Sequence, residues 1–201
     1  PISIDEAFLD ITGCRRLWGS PEEIGRVVRR RIRDEQHLPA SVGIARNKLV
    51  AKIACDHGKP DGLIFVPAGE EEAFLAPLPI EELWGVGQVT GQKLRGLGIL
   101  TIGDLVAWGE ERLIAIFGES HGQRLYRHVR GIDTSPVCRD VDRRSISQER
   151  TFGRDTADED FLHRVLLNMS EEVAARLRRR DVVAQTVRIK MRYSDFATVT
   201  R

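Results

Sequence analysis

Cysteine is scarce: Cys14, Cys55 and Cys138 are the only three in 201 residues, and they stand far apart. Without a C-x-x-C pair, neither a zinc site nor a disulfide framework is expected, and a reducing cytoplasm is the default setting. The five histidines lack metal-ligand spacing and read as surface or helix residues. No apolar run approaches the ~18 residues needed to cross a bilayer, and no signal peptide is visible. A large net charge is lacking too. The 31 Lys and Arg against 30 Asp and Glu leave +1, which argues against a globally basic nucleic-acid binder. Lysine is rare, with five residues among those 31 cations. The first residue is Pro1 rather than Met, so a fragment of a longer chain is expected.

What is present reads as a globular protein. The chain is 41% apolar and 30% charged, long enough for one large domain or two to three small ones. "PISIDEAFLDIT" (1–12) predicts a β-hairpin with Asp5 and Glu6 at its tip. "SPEEIGRVVRRRIRDEQH" (20–37) predicts a helix with a Ser20–Glu23 capping box. Strands are expected at 40–45 and 63–66. A short helix over 47–58 lies between them, ended by a left-handed Gly58, and a type I turn follows at "KPDG". From Pro67 strand signals vanish, and glycines separate short helical pieces at 69–76, 80–84, 88–96, 102–107, 110–117 and 121–130. Residues 137–144 read as a linker. The last segment predicts strand, helix, strand. "RSISQERTF" comes first, then a long helix opened by a Thr156–Glu159 capping box. "TVRIKMRY" closes it, with Val187, Ile189, Met191 and Tyr193 on one face and Arg188, Lys190 and Arg192 on the other.

Four constellations could carry chemistry. Paired carboxylates at a hairpin tip, Asp5 and Glu6, suit Mg²⁺, a hard cation bound through oxygen; the plain alternative is a pair of turn residues. Lys48, Lys52 and Asp56 share one helix face at four-residue spacing, and Lys59 follows, so three of the five lysines fall in one window. Compact ammonium groups suit phosphate; a solvated helix face is the alternative. "LWGVGQVTGQKLRGLGI" (83–99) places Gly85 and Gly87 around Val86 before a helix, with Lys93 inside it. Glycines there let backbone amides converge on a phosphate. This string resembles a helix-hairpin-helix DNA-binding motif, with a degenerate second copy at 117–131. Lastly, Arg188, Lys190 and Arg192 form a cationic stripe, and Arg143 and Arg144 precede the strand expected beside it. From Arg176 to Arg201 there are eight Arg or Lys against two acids, a local excess that points to a polyanion.

In this order, "SIDEAFLDIT", "SVGIARNKLVAKIACDHGKPDG", "LPIEELWGVGQVTGQKLRGLGI" and "RSISQERTF" resemble the Y-family translesion DNA polymerases of the bacterial DNA polymerase IV type. "ELWGVG" departs from many relatives, which carry Pro or His where Trp84 stands. The resemblance implies a multidomain α/β (α+β) fold. Residues 1–66 would be a partial polymerase palm and 67–136 an all-α helix-hairpin-helix thumb. Residues 145–201 would be an incomplete α+β little finger. It implies an error-prone enzyme that joins a dNTP to a primer 3′-hydroxyl on a template, using two Mg²⁺ ions. Asp5 would bridge both ions and Glu6 would hold one. Lys59 would bind the triphosphate, with Ser3, Lys48, Lys52 and Asp56 around the same site. Gly85, Val86 and Gly87 would hold DNA phosphates by backbone amides. A third carboxylate, the fingers and a ribonucleotide gate lie upstream of "SIDEA" in that family, so this stretch alone is expected to be inactive. Primer–template DNA and dNTP are the implied partners, with a sliding clamp for the full-length protein. A monomer with no membrane partner, in a bacterial cytoplasm near the nucleoid, is expected. The rivals are a non-catalytic polymerase-like scaffold and a structure-specific nuclease with a helix-hairpin-helix.

Overall fold

The computed structural model describes residues 3, 5–138 and 145–201, which fall into two compact units, Pro1–Arg139 and Asp140–Arg201. The first begins irregularly. The hairpin expected at 1–12 is not formed: its described residues pair with no strand. Local polar contacts compete with a ladder here, with the Ser3 hydroxyl on Asp5 and the Thr12 amide on Asp10. A short helix that the sequence did not suggest follows, α1 (Arg15–Trp18).

Helix α2 (Pro21–Gln36) starts as its sequence dictates. Ser20 accepts from the Glu23 amide while Glu23 accepts from the Ser20 amide, and Pro21 takes the first helical position. Strands β1 (Val42–Ile44) and β2 (Leu63–Phe65) pair in parallel, with α3 (Lys48–His57) as the crossover between them. Two local expectations fail. Gly58 ends α3 at φ −82 rather than left-handed, because its amide returns to Ala54 in an ordinary final turn. The positive φ falls instead on Asp61, at 50, so the turn at 59–62 is not type I.

Glycine is required where β1 meets α3. Gly43 of β1 lies against the backbone of α3, where a methyl group would overlap Ala51 O and Cys55 N. We expect Gly43→Ala to destabilise the first unit by about 1–3 kcal/mol, the usual scale of overpacking. Urea melts check it, and an unchanged midpoint would deny the close approach.

The helical region runs α4 (Glu71–Leu75), a 3₁₀ turn (Ile80–Glu82), α5 (Gln88–Gly96), α6 (Ile102–Val106), α7 (Glu110–Phe117) and α8 (Glu119–His128). One apolar cluster joins it to α3. Leu49, Val50, Ile53 and Ala54 are buried together with Leu75, Ile80, Leu83, Leu94, Ile99, Ile102, Leu105, Leu113 and Val129. Burying one face of α3 in this core leaves its opposite face for chemistry.

The second unit contains α9 (Glu159–Arg179) and an antiparallel pair, β3 (Lys190–Arg192) with β4 (Thr198–Thr200). The helix cap is Asp158, whose carboxylate accepts from the Phe161 amide; Thr156 instead receives the Asp158 amide. The expected Thr156–Glu159 capping box is therefore not formed: the cap lies two residues along, and Phe161 at its third helical position has no side-chain acceptor to return a bond. The described residues of "RSISQERTF", 145–152, are irregular rather than a strand, with no partner edge among the described residues; the Arg176 guanidinium holds Ser147 O at 3.1 Å and the Gln148 side chain at 2.7 Å. The alternation around β3 is real, but its apolar side is not covered: Val187, Ile189, Met191 and Tyr193 are all exposed. The mixed, helix-rich architecture is the α+β class that the sequence predicted.

Candidate active site and nucleic-acid interface

Helix α3 presents the chemistry. Asn47 caps it by accepting from the Val50 amide at 3.0 Å, and its amide nitrogen donates to Gly131 O at 2.7 Å. With Leu49, Val50, Ile53 and Ala54 turned into the core, the outer face carries Lys48, Lys52 and Asp56. Lys52 is well shielded. Its ammonium lies 2.5 Å from Glu6 Oε1 and 3.1 Å from Asp56. Lys59, carried on the turn after α3, lies 2.8 Å from Asp56 Oδ1 and 3.8 Å from Glu6 Oε1. Glu6, Lys52, Asp56 and Lys59 therefore form an alternating chain of charges that ties the N-terminal segment to α3. Asp5 stands beside it and is exposed, with the Ser3 hydroxyl donating to its carboxylate at 2.6 Å. That hydroxyl is the main reason its acidity is raised, so its carboxyl sits below the ordinary range and is charged at neutral pH.

Charge within the chain is mutually reinforcing. Burial would push Lys52 down, but hydrogen bonds to Glu6 and Asp56 outweigh it and raise it. Burial would push Asp56 up, but Lys59 and Lys52 outweigh it and lower it. The Asp56 contribution to stability is thus complete above the usual carboxylate value of about 3.9 and is lost as pH falls through its lowered value. The Lys52 contribution is complete below about 10.4 and is lost as pH rises through its raised value. We expect Asp56→Asn to flatten the acid limb of stability between about pH 5 and 2, measured by urea melts. An acid limb identical to that of the unaltered chain would contradict the pairing.

Lys48 is engaged elsewhere. Its ammonium donates to Pro136 O at 2.8 Å and lies 5.8 Å from the Phe8 ring centroid, so it anchors the segment after α8. Phe8 in turn meets Trp84 at 6.0 Å.

The glycine-rich hairpin divides into parts with different uses. Gly85 adopts φ 99, a conformation that glycine alone takes freely, and a Cβ at Gly85 or Gly87 would meet nothing within 4 Å. Gly87 caps α5, whose first-turn amides have no partner within the helix and so suit an anion. Val86 departs from expectation. Its amide donates to Leu83 O at 2.8 Å and its side chain is buried, so it supports the loop rather than offering an N–H. Lys93 departs as well, because its ammonium donates to Ile116 O at 2.8 Å and lies 4.9 Å from the Phe117 ring. There it satisfies a carbonyl in the last turn of α7. In the second copy, Gly118 turns at φ 80 between α7 and α8, and Gly122 presses on the α7 backbone, a packing role. A cleft of about 440 Å³ lies between the end of α3 and the Gly85 loop, lined by Ile53, Asp56, Leu83, Trp84, Gly85 and Val86 among others.

Arg188, Lys190 and Arg192 are exposed in the second unit, at alternate positions in and beside β3. Arg143 and Arg144 lie outside the described residues. Sequence reasoning missed Arg29 and Asp61, which meet across 32 positions with no periodic signal to link them.

Asp5 and Glu6 offer only oxygen donors, as a hard divalent cation requires. They fit in kind but not in number: among the described residues no group of three His, Cys, Asp or Glu could hold a metal ion.

Known proteins match this chain along its whole length. The model for the impB/mucB/samB family matches residues 1–56, and that for the C-terminal domain of the same family matches 143–201. The model described as DNA polymerase-iota, thumb domain, matches 81–133. A curated relative named DNA polymerase IV, from Halorhodospira halophila, is 46% identical over all 201 residues, which cover 56% of its length. Among solved structures, a Y-family DNA polymerase chimera of Dbh and Dpo4 matches with a TM-score of 0.81 and 27% identity, over 100% of this chain and 58% of the chimera. An insertion ternary complex of Dbh DNA polymerase matches with a TM-score of 0.61 and 25% identity, over 96% of this chain and 55% of that one. The chain belongs to the impB/mucB/samB family, the Y-family DNA polymerases of the DNA polymerase IV type. It spans about half the length of the curated relatives it matches.

Proposed function

We propose that the chain forms part of a template-directed, error-prone DNA polymerase that adds nucleotides to a primer 3′-hydroxyl during DNA damage tolerance. The observation that carries the reading is the Asp5–Glu6 pair set against the Lys52–Asp56–Lys59 chain. Anionic oxygens for a metal lie beside cations for a phosphate, on one side of α3. Asp5 and Glu6 would hold Mg²⁺, two ions in all, with a third carboxylate supplied from outside these 201 residues. Bound there, the ions would supply charge neutralisation at the reacting phosphate.

Lys59 is the more exposed of the two lysines, 55% against 16%, so its ammonium beside Glu6 and Asp56 is open to a triphosphate. Lys52, shielded and doubly paired, holds Glu6 in place. Ser3 holds Asp5. Open space at Gly85 and Gly87 suits a DNA phosphate, and Arg188, Lys190 and Arg192 suit further phosphates along a strand. Lys48 and Lys93 serve as anchors of the scaffold. Primer–template DNA and dNTP are the partners, with the sliding clamp engaged by the longer protein. A monomer in the bacterial cytoplasm, at the nucleoid, completes the reading. The two acids favour an enzyme over a scaffold, and the shape of the family favours synthesis over strand cleavage. Primer extension against cleavage, in the presence of Mg²⁺, separates polymerase from nuclease.

A further inference from the structure

The turn that carries Lys59 is gripped from another element. Arg29, in the middle of α2, donates from Nε to Ala40 O at 3.0 Å and from Nη2 to Asp61 Oδ1 at 2.9 Å, and it also reaches the Asp61 carbonyl. Arg33, one helical turn on, holds the other carboxylate oxygen of Asp61. Asp61 is the residue whose φ of 50 reverses the chain. The turn is closed on its other side, where the Gly62 amide donates to Ser41 Oγ at 3.2 Å and Gly62 packs on Gly58 O too closely for any side chain. Arg29 is the more shielded of the two arginines, at 21% side-chain exposure against 56% for Arg33. A planar fork spanning a carbonyl and a carboxylate fixes direction in a way a lysine cannot. Lys59 itself is 55% exposed, and its ammonium touches only carboxylates, so its direction depends on the backbone that carries it.

We propose that Arg29 is a positioning residue for the anion site: through Asp61 it fixes the turn at 59–62, and so aims the Lys59 ammonium at a polyphosphate beside Glu6 and Asp56. This rests on the reading of Lys59 as the triphosphate ligand. Arg29 makes no contact with the anion. It lowers the cost of binding by holding the lysine in the bound direction beforehand.

The test is a double-mutant cycle on the 201-residue chain. Inorganic tripolyphosphate is titrated at low ionic strength and followed by amide shifts, with thermal melts to confirm folding. Lys59→Ala is expected to weaken binding about 10-fold and Arg29→Met about 5-fold, the scale of one or two charge-assisted contacts. On the Lys59→Ala background, Arg29→Met should change nothing further, which a general loss of stability would not produce. Arg29→Lys should fail to restore affinity. Asp61→Asn should weaken binding as Arg29→Met does, which covers the case in which Arg29→Met unfolds. If Lys59→Ala weakens binding while Arg29→Met or Asp61→Asn is neutral, or if the Arg29 and Lys59 effects add, the positioning role is overturned and Lys59 stands. If the unaltered chain does not bind, or Lys59→Ala is neutral, both readings fall.

Discussion

Asp5→Ala, placed in a polymerase of the relatives' full length that carries this stretch, is expected to lower nucleotide incorporation by about 10²–10³-fold or more. The expectation follows from where Asp5 stands. Its carboxylate is exposed, the neighbouring Ser3 hydroxyl is its side-chain partner among the described residues, and there it takes no part in the ion-pair chain behind it. The fold does not need it. Glu6, by contrast, ties its segment to Lys52, so replacing Glu6 mixes chemistry with structure. Asp5→Ala should therefore leave the melting temperature within about 1–2 °C and DNA affinity within about twofold, the range of an ordinary surface substitution. Single-turnover primer extension with a parallel DNA-binding titration checks both halves. Intact incorporation by the variant would remove Asp5 from the catalytic role.

DNA binding by the 201-residue chain should fall steeply with salt and show little preference for sequence. Arg188, Lys190 and Arg192 stand exposed at alternate positions with no acid between them, and each neutralised phosphate adds about 0.9 to the slope of log affinity against log salt. These three account for a slope near −2.7, and one or two further contacts give a loss of about 10²–10³-fold between 50 and 200 mM salt. Replacing all three by Ser should reduce the slope by about 2–3 while leaving base preference unchanged. Fluorescence anisotropy on one primed duplex at four salt concentrations measures it. A slope near zero, or one unmoved by the triple replacement, would mean that the stripe does not track phosphates.

Much of the fold was legible because its signals are local. The Ser20–Glu23 box, the helix over 88–96 and the helix over 110–117 stand where capping and glycine punctuation put them. The charge cluster on α3 was legible for the same reason: Lys52 and Asp56 share a face through four-residue spacing, and Glu6 and Lys59 close that face. The failures are of other kinds. At 1–12 and 144–152 strand-like composition predicts strand, but a strand forms only with a partner edge, and the structure gives the described residues of these segments none. Lys48, Lys93 and Val86 looked like phosphate ligands by residue type and spacing. Their actual partners, Pro136, Ile116 and Leu83, are backbone carbonyls whose positions no local pattern reveals. The grip of Arg29 on Asp61 was invisible because β1 and α3 lie between the two residues in the chain.

The most direct test is a primer-extension assay with a full-length polymerase carrying these residues, Mg²⁺, the four dNTPs and a template whose next base is known. A primer lengthened by one complementary nucleotide, lost on Asp5→Ala and weakened in its dNTP dependence by Lys59→Ala, is the expected result. Shortened strands, or extension that survives both substitutions, would contradict the assignment of the Asp5–Glu6 and Lys59 groups to nucleotide transfer.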